Sequence, residues 1–341
     1  MKTKSRLAAF AAAVAALYAL AIPSHAQVPT KEAVAALKPK DFPSQPIEMV
    51  VVYPAGGGMD LNARLLSKYV EKVTGANTLV NNKTGGAGLV GHTYLATQAD
   101  KSGHTVGVIA NLVFADAWMR AKDRWKETDL EPIAYLNSDG LNLIVNAAGP
   151  FKDKGFKDIV DMAKAKPNTV RITNVPGSIY EYMIEQLEAE TGAKFLKVPF
   201  QGGAPGVAAL LGDNVDVAIA FYGEMRGHLD GKRVKPVAFT GAGRSPFVPD
   251  APTLDEALGL KNFVWVATRW VAVPKGVPAP RKAWLAAAFT AAAADPGLQE
   301  EFRKLGAIPS TEYDTIAKVD AHIKELARRE REFFVKTGRL K

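Results

Sequence analysis

Short unbroken apolar runs alternate along this chain with longer stretches whose apolar residues recur three and four positions apart. The runs fall at 47–52, 78–80, 105–110, 133–136, 141–146, 169–173, 194–198, 215–220, 237–240 and 264–273, and read as strands. Helical spacing follows most of them. Leu61, Leu65, Tyr69 and Val73 repeat on one face, with Gly75 placed to end the helix. Ile179, Met183, Ile184 and Leu187 share another face, as do Val207, Leu210 and Leu211 behind Pro205 in a first-turn position. Trp284, Leu285, Ala288 and Phe289 form a further face, and a long last helix runs through Ile316, Val319, Ile323 and Leu326. Strands alternating with helices predict an α/β fold with largely parallel sheets. The length suits two domains. No linker of distinct composition separates them, so the chain is expected to cross between them more than once.

Four of the strand-to-helix junctions are loops of small residues. The first runs from Tyr53-Pro54 through Gly56, Gly57 and Gly58, with Met59 and then Asp60 as a candidate N-cap. The second is 82–88, carrying Lys83, Thr84, Gly85, Gly86, Ala87 and Gly88, with a helix expected from about Leu89. The third reads Thr173-Asn174-Val175-Pro176-Gly177-Ser178, where Ser178 either caps a helix or bonds a ligand oxygen. The fourth holds Phe200, Gln201, Gly202 and Gly203 ahead of Pro205. Glycine lets a ligand approach the backbone closely. A helix N-terminus presents unpaired N–H groups and a positive dipole end to an anion. Two such loops in each of two domains would line a cleft for one small anionic ligand.

The first 26 residues set the compartment. Lys2, Lys4 and Arg6 precede an apolar stretch over 7–22, and Ser24-His25-Ala26 resembles a cleavage site that leaves Gln27 first. That is the pattern of a secretory signal peptide, so a periplasmic location is expected. Cleavage lowers the formal charge from the +8 of the whole chain to 40 Lys+Arg against 35 Asp+Glu. A mild positive excess favours small anions by long-range attraction. No basic run interleaved with aromatics indicates nucleic acid. There is no cysteine and hence no disulfide framework.

Enzyme chemistry finds little support. Gly86-Ala87-Gly88-Leu89-Val90-Gly91 is formally a dinucleotide fingerprint. It lies in the second strand–helix unit, and the following strand ends at Ala110-Asn111 without an acid for a ribose. His92, His104, His228 and His322 are scattered, with no pair four apart to suggest a metal. No cofactor is expected.

The order and spacing of VVVYPAGGGMDLNARLLS, LVNNKTGGAGLVG, KSGHTVGVIAN, DLEPIAYL, VPFQGGAPGVAALLGDNVDVAIA, VKPVAFTGAGRSPFVPDAPTLDEALG and WVAVPKGVP resemble one family. It is that of the extracytoplasmic solute-binding proteins of tripartite tricarboxylate transporters, also called the Bug family. The resemblance implies a type II periplasmic binding protein fold, two α/β domains with a hinge and an interdomain ligand cleft. It divides the chain into 47–141 plus 256–341 and 142–255. It also implies a monomer that captures a small organic carboxylate and serves membrane transporter subunits, or alternatively informs a sensor kinase. Ligand-binding positions carried over are Tyr53, Gly57, Gly58, Met59, Asp60, Thr84, Gly85, Gly86, Ala87, Gly88, Asn111, Asn174, Ser178, Phe200, Gln201, Gly202, Phe221 and Tyr222. The chain departs from the family pattern over Asp153–Lys166, a poor match to the usual segment before the middle loop, and in three further places. Lys83-Thr84-Gly85-Gly86-Ala87-Gly88-Leu89 replaces the common Arg-Pro-Gly-Ala-Gly-Gly-Asn, Phe200-Gln201-Gly202 replaces Tyr-Lys-Gly, and Ala220 replaces an Asp. Loss of that acid beside Phe200, Phe221 and Tyr222 leans toward a less polar or aromatic carboxylate.

Overall fold

The computed structural model describes residues 28–340, so the signal-peptide expectation lies outside the described residues. Eleven strands form there: β1 (Ile47–Val51), β2 (Thr78–Asn82), β3 (Thr105–Ala110), β4 (Leu130–Gly140), β5 (Asn142–Asn146), β6 (Arg171–Asn174), β7 (Leu196–Pro199), β8 (Ala218–Ala220), β9 (Val234–Phe239), β10 (Val266–Pro274) and β11 (Ile308–Pro309). The first body is a six-stranded sheet in the order β11-β4-β10-β3-β1-β2. The second joins β8-β5-β9 to the β6-β7 pair through a bridge between Ile172 and Val217.

β1 shows why the run at 47–52 is apolar throughout. Met49 and Val51 enter the core beneath one face of the sheet, while Val50 and Val52 enter the core on the other. A strand covered on both faces has no solvent side to make polar. Helices Gly58–Thr74 and Ala279–Ala293 cover the first face. In the second body Leu143 and Val145 face one core and Ile144 the other, by the same logic. Each such aliphatic side chain contributes ~2 kcal/mol by burial.

Helix Gly58–Thr74 ends as expected, with Gly75 at φ 69°. Its start differs. Gly57 is the N-cap, and Asp60 stands in the first turn. Its buried stripe is Met59, Asn62, Ala63, Leu66 and Val70. Leu65, Tyr69 and Val73 flank that core, and Leu61 is exposed. The expected stripe is therefore one position around the helix.

The sheets are mixed rather than largely parallel. β1 runs parallel to β2 and β3, and β6 to β7. β10 is antiparallel to both β3 and β4, and β5 to both β8 and β9. The cause is the crossing between bodies. The chain leaves along β4 through Leu141 into β5 and returns after β9, by way of helix Leu254–Leu258, into β10, which runs back beside β4 in the opposite direction.

The two crossing segments are clasped together. The buried Thr240 hydroxyl accepts the Leu141 N–H at 2.8 Å and donates to Trp265 O, while Thr240 O accepts the Trp265 N–H at 2.9 Å. Gly140 is obligatory there, because a Cβ would lie 2.2 Å from the Phe239 ring. Helix Leu254–Leu258, Phe263 and Trp265 pack in the second body, beyond the division expected at 255/256. The last helix, Ile316–Lys336, belongs to both bodies. Val319 and Ile323 sit in the first core, and Phe334 sits in the second against Tyr182.

Candidate functional site

Loops of the two bodies come together around Tyr53 and Arg120. Tyr53, which opens the first, packs against cores of both bodies, and burial pushes its phenol pKa well up. Beyond it Gly56 adopts φ 79° and donates its N–H to Asp60 Oδ2 at 2.9 Å. Asp60 also accepts from Arg64 Nε at 2.9 Å and Asn82 Nδ2 at 3.0 Å. Burial raises its carboxyl, but these hydrogen bonds outweigh burial and hold it below the usual range. The Asp60 carboxylate thus braces the loop. The first intrahelical bond is Leu61 N–H to Gly57 O, so the amides of Gly58, Met59 and Asp60 point out of the helix end. The space a Gly58 side chain would fill is open, whereas Gly57 folds its N–H back onto Pro54 O.

The second loop is a left-handed arch. Gly85, Gly86, Ala87 and Gly88 take φ of 135°, 55°, 51° and 106°. Only Ala87 among them carries a side chain in that region, a local strain. Gly85 O gathers the N–H groups of Gly88 and Val90, and helix Leu89–Thr97 follows. Thr84 is exposed at the rim.

The arch is held by an arginine that sequence reasoning passed over. Arg120 ends a π-helical turn, Asp116–Arg120, of the kind frequent at functional sites. Its guanidinium donates to Gly86 O and, at 2.7 Å, to Asp116 Oδ1. Asp116 Oδ2 lies 2.7 Å from His92 Nδ1, and both acid and imidazole are fully buried. A Cβ on Gly177, in the third loop of the other body, would stand 3.9 Å from Arg120 Nη1. Arg120 is therefore a cation between the two bodies, still a quarter exposed. Lys83, the one cation within the loops by sequence, stacks instead over the Tyr94 ring at 4.1 Å.

In the third loop Ser178 is an N-cap. Its hydroxyl donates to Val175 O at 2.6 Å and accepts from Tyr180 N–H at 3.2 Å. Gly177 N–H is taken by Glu181 Oε2, and the buried Asn174 keeps an Oδ1 without a partner. In the fourth, Phe200 N–H bonds Asn174 O at 2.7 Å, Gln201 is exposed and Gly202 is extended. Helix Gly203–Leu211 then starts against an internal acid. Glu224 Oε2 accepts from Phe221 N–H at 2.9 Å and Tyr180 OH at 3.1 Å, and the Gly203 N–H reaches the same carboxylate. Burial raises the Glu224 carboxyl, partly offset by these donors. That helix end already holds an anion.

The remaining candidates are engaged within the fold. Asn111 donates to Glu330 at 2.5 Å and accepts from Thr268 N–H at 3.1 Å. Burial pushes Glu330 up to about 8. Phe221 meets Tyr180 edge-on at 5.9 Å and lies under the Arg269 guanidinium at 5.6 Å. Tyr222 packs on Phe247 and against Gly306 of the first body. Phe221 and Tyr222 thus pack within the fold.

Arg269, Asp139 and Glu224 were also missed. Arg269 had a readable signal, since an arginine inside the apolar run of β10 needs a buried partner. Asp139 is that partner, at 2.8 Å. Glu224 stands four residues past Ala220, a capping position the sequence did not flag. Arg120 had no local signal at all.

Comparison with known proteins identifies the family and the fold. The model of the tripartite tricarboxylate transporter family receptor matches residues 62–332. Protein BugT of Bordetella pertussis is 30% identical over 241 residues, 69% of this chain and 72% of that one. The structure of the periplasmic binding protein BugD superposes with a TM-score of 0.75 at 28% identity, covering 87% of this chain and 99% of BugD. MatC from Rhodopseudomonas palustris with bound malate gives 0.75 at 25% identity, covering 86% and 99%. The two bodies, their hinge and the loop-lined cleft form a type II periplasmic binding fold, and the chain belongs to the tripartite tricarboxylate transporter receptor family, the Bug solute-binding proteins.

Proposed function

We propose that this protein captures a small organic carboxylate in the cleft between its bodies, closes over it, and delivers it to tripartite transporter subunits in the membrane. It acts by binding, without catalysis. What supports this reading is the outward-pointing amides of Gly58 and Met59, the left-handed arch at Gly86–Ala87, and the Arg120 guanidinium held on Gly86 O beside Gly177 of the other body. All three favour an anion, and malate bound to MatC supports the class. The exposed Thr84 and Gln201 and the unpartnered Oδ1 of buried Asn174 are further polar groups on these loops.

A thermal-shift screen with mono-, di- and tricarboxylates tests the reading. A ligand at a hundredfold over its Kd adds about 2.7 kcal/mol to stability. Sugars and amines should leave the melting temperature unmoved, and a flat response to every carboxylate would sink the proposal. For export, intact-mass measurement on periplasmic material should find a chain beginning at Gln27. Full-length protein held in the membrane fraction would contradict a cleaved leader.

A further inference from the structure

One imidazole meets the glycine arch twice, once by contact and once through two charged groups. His92 lies near the start of helix Leu89–Thr97, fully buried. A Cβ on Gly88 would stand 3.2 Å from its Cε1, so the ring lies directly against the end of the arch. His92 Nδ1 is 2.7 Å from Asp116 Oδ2, and Asp116 Oδ1 accepts from Arg120 Nη1 at 2.7 Å. A carboxylate only accepts, so Nδ1 carries the proton. Arg120 Nη2 in turn donates to Gly86 O, nearer the start of the arch. The arch itself is a run of left-handed residues that includes Ala87, and such backbone persists only where its surroundings hold it.

Packing alone does not account for a histidine at this position. His92 Nε2 is buried with no hydrogen-bond partner. An aliphatic side chain would fill the space without that cost. What the imidazole supplies, and an aliphatic group cannot, is the N–H to Asp116. The Asp116 carboxylate is fully buried, and its two oxygens are divided between His92 and Arg120. Arg120 is a long side chain, a quarter exposed, with many rotamers open to it. Asp116 selects among them by holding Nη1, and His92 holds Asp116 by the other oxygen. We propose that His92 is a positioning residue for ligand capture: through Asp116 it fixes Arg120 on Gly86 O, and so keeps the arch in its binding shape. Its bearing on affinity rests on the carboxylate-capture reading above.

Hydrogen exchange at the amides of Gly88 and Val90, both bonded to Gly85 O, reads the arch without any ligand. His92→Leu fills the space and removes the donor. Exchange at both amides should rise about tenfold or more, the ordinary worth of a hydrogen bond to a charged group. Leu61, whose N–H bonds Gly57 O in the first loop, should exchange as before. His92→Asn sets an amide N–H where Nδ1 stands, and should return exchange toward the unmodified rate. In an Arg120→Ala background His92→Leu should add no more than about threefold, because the relay is already cut. Asp116→Asn must turn an NH2 toward one of its two partners, and takes the place of His92→Leu if that variant does not fold. Unchanged exchange at Gly88 and Val90 would overturn the inference. So would an equal rise at Leu61, the mark of a plain core residue, or the full effect in the Arg120→Ala background. Affinity for malate or citrate, whichever binds, should fall about tenfold in His92→Leu and recover in His92→Asn; an unchanged affinity would overturn the role in capture. If no acid binds the unmodified protein, carboxylate capture falls, and the exchange result still decides the relay.

Discussion

Gly203→Ala is expected to lower the unfolding free energy by about 3 kcal/mol, although glycine-to-alanine changes inside helices usually stabilise by about 1 kcal/mol. The new Cβ would stand 2.1 Å from Glu224 Oε2 and 2.9 Å from Tyr180 OH. Relieving these contacts moves the carboxylate away from the helix end. It would lose the donors Phe221 N–H, Tyr180 OH and Gly203 N–H while still largely buried. The loss outweighs the gain in helix propensity. Gly202→Ala is the control, because nothing lies within 4 Å of its Cβ position and its φ of 168° suits any residue. Urea unfolding of the two variants side by side decides it. Equal midpoints would mean that Glu224 does not occupy that helix end.

Arg120→Ala is expected to weaken binding of the best carboxylate from the thermal screen by about tenfold to a hundredfold, the scale of one or two charge-assisted hydrogen bonds. Two losses combine. The cation at the mouth disappears, and Gly86 O loses the donor that fixes the arch. Lys83→Ala should change affinity by less than about threefold, since its ammonium is occupied with the Tyr94 ring at 4.1 Å in a contact worth ~0.5–1 kcal/mol. Arg120→Ala also leaves the buried Asp116 with only His92, so affinity must be compared on folded protein. Arg120→Lys, which keeps a charge but not the forked geometry, should fall between. Titration calorimetry on the three variants would reverse the assignment if Lys83→Ala proved the most damaging.

Much of the first body could be read from the chain. The continuous apolar run of β1 and the left-handed Gly75 each follow from a local physical requirement, and each is found where expected. Strand direction could not be read. Nothing in the composition of β10 says that it returns antiparallel, because both faces are buried whichever way it runs. The helix stripe at Leu61 was misplaced because polar Asn62 and Asp60 take inward positions, held there by Asn137, Asn82 and Arg64. The site was legible as backbone and opaque as side chains. Glycine loops announce themselves by residue type, whereas Ser178 and Asn111 could equally have served a ligand or the fold. Only their partners, Val175 and Glu330, show how their hydrogen bonds are used. Arg120 enters through a π-turn that no periodicity marks.

The last helix has a consequence for how the molecule comes apart. Proteins of two bodies commonly melt in two steps, because each keeps its own core. Here one rod of 21 residues is seated in both, by Val319 and Ile323 at one end and Phe334 at the other. Loss of either seat strips apolar cover from the other body as well. The bodies are therefore expected to unfold as a single cooperative unit, with one calorimetric transition instead of two.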